Sequence, residues 1–178
     1  MADKPKDLLL GTAKVLIVLT QIVIIFAMVM LGIGIGALVS VGKDRVFAEI
    51  AKAGAPDAAF PLLIVSFVLI MVMLGMANRF FKELTGIANS VGEGDPFRIE
   101  NAARLTRMGW ISVGVHGLTL LLIGLASWFA VYIEKAGHRA DFGFDVEITG
   151  VLLTLILFIL ARVFRRGAEM REELEGTV

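Results

Sequence analysis

His116 is the side chain best suited to chemistry in this sequence. It is an imidazole about two turns into an apolar run, and an ionisable group in such a setting marks a functional position by default. It is equipped to relay a proton or to ligate a haem iron. Either role normally needs further ligands, and the only other histidine, His138, lies between apolar runs. The favoured alternative is a neutral imidazole hydrogen-bonded across helices to Ser112, Gln21 or a backbone carbonyl. Gln21, in the first apolar run, reads likewise as an interhelical hydrogen-bonding contact. No Asp or Glu lies in the core of an apolar run, and no Ser–His–Asp arrangement, carboxylate pair within an apolar run or zinc-ligand spacing is present. The chain has no cysteine, which removes disulfides and thiolate chemistry. The expectation is a protein that is not an enzyme and carries no cofactor or metal; an ion-coupled transporter is disfavoured.

Gly32-Ile33-Gly34-Ile35-Gly36 resembles a phosphate loop only superficially. It lacks the following Lys-Ser/Thr, follows no strand and sits inside an apolar run. Gly32 and Gly36 instead form a small-xxx-small face on which another helix, of this chain or of a second copy, can approach closely. Three glycines also lower helix propensity there, so a flexible half-helix is the alternative.

The remaining candidates are charged. Arg104 and Arg107 are three apart and share a helix face, suited to lipid phosphate, to the glutamates at the chain end, or to a partner. Arg165 and Arg166 precede Glu169, Glu172 and Glu173, basic residues first and acidic last, as suits a helix leaving an anionic headgroup layer. Arg165 and Glu169 are four apart and able to pair. The second apolar run is expected to continue as helix through Arg79–Ile87, ended by Asn89, Ser90 and Gly92. Gly92-Glu93-Gly94-Asp95-Pro96 is a dense turn signal, and Asn101 or a neighbour is placed to cap a helix that runs through Ala102–Met108 into the third run. Asp95, Pro96 and Phe97 complete the set of candidate partner or lipid contacts.

These residues must be positioned by four apolar stretches, at about 15–41, 58–77, 109–133 and 148–164. In hydrocarbon the backbone must satisfy its own hydrogen bonds, so each stretch implies a helix. The first is too long for a signal h-region and reads as a retained membrane helix. Hydrophobic residues make up 57% of the 178, above the ~45–50% usual in soluble domains. The expected fold is therefore all-α: a single polytopic domain of four transmembrane helices in an antiparallel bundle, with a connecting loop at 78–108 and a tail at 165–178. Lys43–Lys52 is expected to form a short surface helix broken at Gly54 and Pro56. Glu134, Asp141, Asp145 and Glu147 make the last outer loop acidic.

Counting Lys and Arg, the N-terminal segment, the 78–108 loop and the C-terminal end carry 12 and the other two loops 5. The positive-inside rule then puts both termini and the 78–108 loop in the cytoplasm. Trp110 at one end of the third run, and Trp128 and Tyr132 at the other, suit the two interfaces. Net charge is zero, and no direct nucleic-acid binding is expected.

Gly94-Asp95-Pro96-Phe97, followed by Glu100-Asn101-Ala102-Ala103-Arg104-Leu105 and Gly109-Trp110, resembles a signature of the bacterial family Domain of Unknown Function 2975. The ending Val163-Phe164-Arg165-Arg166-Gly167-Ala168-Glu169-Met170-Arg171-Glu172-Glu173 and the four spans are similar to that family as well. The resemblance covers essentially the whole chain and carries no catalytic residues. It implies a multi-pass protein of the bacterial cytoplasmic (inner) membrane. Family members are often encoded beside a small helix-turn-helix transcriptional regulator, which implies a membrane protein that binds such a cytoplasmic partner. Two other functions fit the residues: a small oligomeric permease or channel subunit working through the Gly32/Gly36 face, or an accessory subunit of a larger membrane complex.

Overall fold

The computed structural model describes residues 8–135, 139 and 148–175. Lys4, Lys6, His138, Asp141, Asp145 and Glu147 lie outside the described residues. Every regular element among the described residues is helical. α1 runs Leu8–Ala37 and passes through a π-helical turn, Leu38–Gly42, into α2, Lys43–Lys52; α3 is Ala59–Gly92, α4 Ile99–Lys135 and α5 Ile148–Glu175. Four helical segments (α1 with its continuation into α2, then α3, α4 and α5) are long and apolar enough to cross a membrane.

α3 and α4 have 34 and 37 residues. At 1.5 Å per residue each is about 50 Å long, well beyond a hydrocarbon core of about 30 Å. The excess is polar: α3 from Asn78, α4 up to Met108 and α5 from Arg165 are charged extensions of apolar helices. The 78–108 loop therefore reduces to six residues, 93–98, between two helix ends.

The apolar lengths are not covered by protein. Within α1 only Ile17 and Ile24 are buried, while Leu16, Ile22, Val23, Phe26 and Ile33 are all exposed. A soluble protein rarely leaves so much contiguous apolar surface in water; a helix apolar all round suits a lipid solvent.

The chain forms two compact units. The second comprises 26–75 and 114–147. In it α2 is amphipathic, with Val46, Phe47 and Ile50 sheltered, and Phe47 stacks on Phe60 at 4.7 Å. α2 ends as expected from Gly54: this glycine adopts φ +64°, its N–H donates to Ala51 O, and the Ala55 N–H donates to Ile50 O. That pairing is the Schellman closure, which a left-handed glycine permits without Cβ strain. Pro61 stands in the first turn of α3, where a missing N–H costs no helix bond. Trp128 packs on Phe129 and Tyr132, at 5.0 and 4.9 Å.

The first unit comprises 1–25, 76–113 and 148–178. Its core is Leu105, Met108, Leu157 and Ala161, flanked by Phe80, Leu84, Ile87 and Phe164. It therefore joins the extended parts of α3 and α4 to α5. α3 and α4 are antiparallel here, in steps that match: Glu83 meets Arg107, Gly86 meets Arg104 and Ser90 meets Asn101. α4 and α5 are antiparallel too. Ser112 shares a buried 2.6 Å hydrogen bond with Thr154, and 17 residues from each, back along one and on along the other, Asp95 meets Arg171.

Candidate functional site

The signature residues converge at the charged end of the first unit. α3 closes with the device used by α2: Gly94 has φ +84°, its N–H donates to Val91 O, and the Asp95 N–H donates to Ser90 O. Both closures read Gly-x-Pro, since proline shortly after the left-handed residue prevents the helix from resuming. The turn directs Asp95-Pro96-Phe97 towards α5.

Asp95 accepts a hydrogen bond from Arg98 Nε at 2.9 Å and pairs with Arg171 of α5. Arg98 also pairs with Glu93 at 2.8 Å. The bond from Arg98 holds the Asp95 carboxyl below its ordinary pKa, and the Arg171 charge acts in the same direction. In return, Asp95 and then Glu93 raise the pKa of Arg98. Phe97 packs on Phe164, with ring centroids 5.3 Å apart, and lies over Gly167: a Cβ built there would be 2.7 Å from the Phe97 ring. Loop 93–98 is thus clasped to α5 by one aromatic contact and one ion pair. A hollow of about 250 Å³ remains beside the clasp, lined by Asp95, Phe97, Arg98, Glu100, Arg171 and Glu172 among others.

Asn101 does not cap α4 as expected. The helix starts at Ile99, and the Asn101 side chain, 1% exposed, donates to Ser90 Oγ at 2.5 Å and to Pro96 O at 2.9 Å. It ties the end of α3 to the clasp loop across the turn. A buried amide must find partners of this kind, and here the nearest acceptors are those of the folded-back turn.

The basic candidates separate. Arg107 pairs with Glu83 at 2.9 Å rather than with the glutamates of α5. Glu83 also takes Arg79 at 3.2 Å, and its own side chain is only 7% exposed. A sheltered carboxylate on the adjacent helix offers a stronger local field than a solvated tail. Arg104 lies across Gly86, so close that a Cβ there would overlap its guanidinium. Arg166, not Arg165, pairs with Glu169, at 3.2 Å. Glu172 lines the hollow beside the clasp, and Glu173 is exposed.

The other candidates stand apart from this site. Gln21 is half-buried in the first unit and His116 half-buried in the second. Gly32 faces the Met71 methyl at 3.7 Å, an ordinary contact, and Gly36 has nothing within 4 Å of its would-be Cβ. Among the described residues, then, neither glycine seats a close helix approach within the chain.

Sequence reasoning overlooked Glu83, Ser90, Arg98 and Arg171 as members of the site. Arg98 had a signal, three residues from Asp95. The Glu83–Arg107 pair, 24 residues apart, had none.

A family model described as "Protein of unknown function (DUF2975)" matches residues 44–178. No curated protein and no solved structure matches the chain.

Proposed function

The chain belongs to that family, whose function is unknown, and on this premise we propose that it is a non-catalytic, four-span protein of the bacterial inner membrane that docks a cytoplasmic partner on the clasp. Ten of the described lysines and arginines fall in the first unit and five in the second. That asymmetry supports a cytoplasmic position for the clasp and both termini.

One observation carries the docking reading: loop 93–98 is already folded onto α5 outside the apolar lengths, by Asp95–Arg171 and by Phe97 over Gly167. A surface ordered in advance loses less conformational entropy on binding. Around the clasp the four acids Glu93, Asp95, Glu100 and Glu172 outnumber the two bases Arg98 and Arg171. Such a shelf complements a basic partner, as a small helix-turn-helix regulator would be through its DNA-binding face.

The experiment is a mild-detergent pull-down of the tagged full chain from its native membranes, with mass spectrometry of what accompanies it. A small helix-turn-helix protein should co-purify and should be lost from an Glu100→Gln/Glu172→Gln variant that still inserts normally. Equal recovery with that variant, or recovery of nothing beyond the chain itself, overturns the reading.

A further inference from the structure

A second charged feature of the first unit takes no part in the clasp. Between α4 and α5 lies an open groove of about 730 Å³, with Thr106, Phe158, Ala161, Arg162, Arg165, Arg166 and Glu169 around it. The three arginines and Glu169 stand at i, i+3, i+4 and i+7, so they project from one face of α5. Only Arg166 has a carboxylate partner, Glu169; among the described residues Arg162 and Arg165 form no ion pair. The positive charge of Arg162 and Arg165, without a counterion among the described residues, suits an external anion.

The position of the groove along α5 indicates its chemistry. Arg162 is the first charged residue after the apolar run that begins at Ile148. One and two turns before it, on the same face, are Ile159 and Leu155, 62% and 54% exposed. On the α4 side Trp110, 65% exposed, lies edge-on to Phe158, with centroids 5.6 Å apart. Guanidinium groups at the base, an aliphatic track above them and an indole at the boundary match one amphiphile: an anionic head joined to acyl chains. Tryptophan favours the headgroup level, arginine binds phosphate oxygens in bidentate fashion, and basic pockets between spanning helices take phospholipid heads.

We propose that this groove is a binding site for an anionic phospholipid, its phosphate held by Arg162 and Arg165 with Arg166, and one acyl chain laid along Ile159 and Leu155. The inference is independent of the docking reading, because it uses none of the clasp residues. Thr106 adds no donor: its hydroxyl is committed to Ala102 O at 2.9 Å. Glu169 competes with the lipid for Arg166 and so limits the affinity.

The chain has two tryptophans, and Trp128→Phe leaves Trp110 as the sole fluorophore. The full-length protein is reconstituted in phosphatidylcholine with a few mole per cent of phosphatidylglycerol brominated on its acyl chains. Quenching of Trp110 should exceed that from the same fraction of brominated phosphatidylcholine, with a relative affinity of about fivefold or more for each arginine engaged. In Arg162→Gln/Arg165→Gln, which keeps the Arg166–Glu169 pair, the excess should vanish while quenching by brominated phosphatidylcholine stays unchanged. That second readout shows that the variant remains folded and inserted. The neutralising control Lys43→Gln/Arg45→Gln, in α2, should retain the excess. Equal quenching by both lipids overturns the proposal, as does an excess that survives in the arginine variant. Displacement of the excess by millimolar inorganic phosphate or glycerol phosphate also overturns it, since the ligand would then be a free anion.

Discussion

Two sets of glycines behave differently in this protein. Gly32, Gly34 and Gly36 stand in a row in α1 and attract the eye. Yet the space around Gly34 and Gly36 is open, and Gly32 makes only an ordinary contact with Met71. Gly86, Gly109 and Gly167 are scattered through α3, α4 and α5, and each lies beneath a side chain. Arg104 crosses Gly86, the Phe158 ring would be 2.8 Å from a Cβ on Gly109, and Phe97 covers Gly167. Spacing in the sequence thus did not single out the glycines that are covered within the chain. A helix surrounded by lipid tolerates a missing side chain anywhere, because lipid fills the space. A helix that must seat a ring from its neighbour requires one at a particular position.

The same contrast separates the two ends of the long helices. The charged extensions of the first unit are held as a soluble core is held, by a small apolar cluster, buried hydrogen bonds and ion pairs. Exposed Leu, Ile, Val and Phe dominate the apolar lengths, α1 above all. Specific contacts are therefore expected to matter most where water returns.

The largest expected effect follows from overfilling a covered glycine. Gly109→Leu and Gly167→Leu should each destabilise by about 1–3 kcal/mol, the usual cost of overpacking, read as a lower Tm in detergent. Gly34→Ala and Gly36→Ala should instead raise stability by up to ~1 kcal/mol through helix propensity. If the α1 variants lose as much as the others, the contrast fails, and the α1 glycines are needed for contact with another molecule such as a second copy.

Next comes Asn101→Leu, which strands the part-buried Pro96 O and takes from Ser90 Oγ its donor, leaving that hydroxyl only its own bond to Ile87 O. The cost expected is about 1–3 kcal/mol, with faster amide exchange in 93–98 but not in α2. Uniform loosening of the whole protein would show that Asn101 supports more than the turn.

Glu83→Gln should follow, near the lower end of the ~1.5–3 kcal/mol typical of charged hydrogen bonds. Its partners Arg79 and Arg107 are more than half exposed and recover hydration when released. The accompanying salt dependence of Tm should disappear in the variant.

The smallest effect concerns pH. The folded-state pKa of Asp95 is below the ordinary value of 3.8. Its contribution is therefore fully present above that value and is lost as pH falls through the depressed folded value. Exchange protection of 93–98 should stay constant from neutral pH down to about 4 and fall only in stronger acid. Asp95→Asn should remove that acid step. A step near neutrality would mean that another group holds the clasp.

Much of the architecture was legible in the chain. Apolar runs of spanning length, the breaks at Gly54-Ala55-Pro56 and Gly94-Asp95-Pro96, and the amphipathic α2 each follow from local rules: backbone bonding in hydrocarbon, left-handed glycine and the missing proline N–H. The site was legible in part. Gly94-Asp95-Pro96-Phe97 was visible as a unit, but the role of Asn101 was misassigned, because a cap and an interhelical tie use the same amide and differ only in what lies nearby. The pairing of Arg107 with Glu83, of Arg166 with Glu169 and of Asp95 with Arg171 could not be read from spacing, since several acids lie within reach of each arginine. Sequence alone determined that the helices form, where α2 and α3 stop and that lipid suits the apolar surfaces, for those outcomes depend on residues within one or two turns, whereas the continuation of α1 into α2 was not read from it. Tertiary structure alone decided which glycines are covered, which charges meet and how the 93–98 loop is clasped, because those contacts join side chains up to 76 positions apart, whose distances exist only once the antiparallel helices have settled their register.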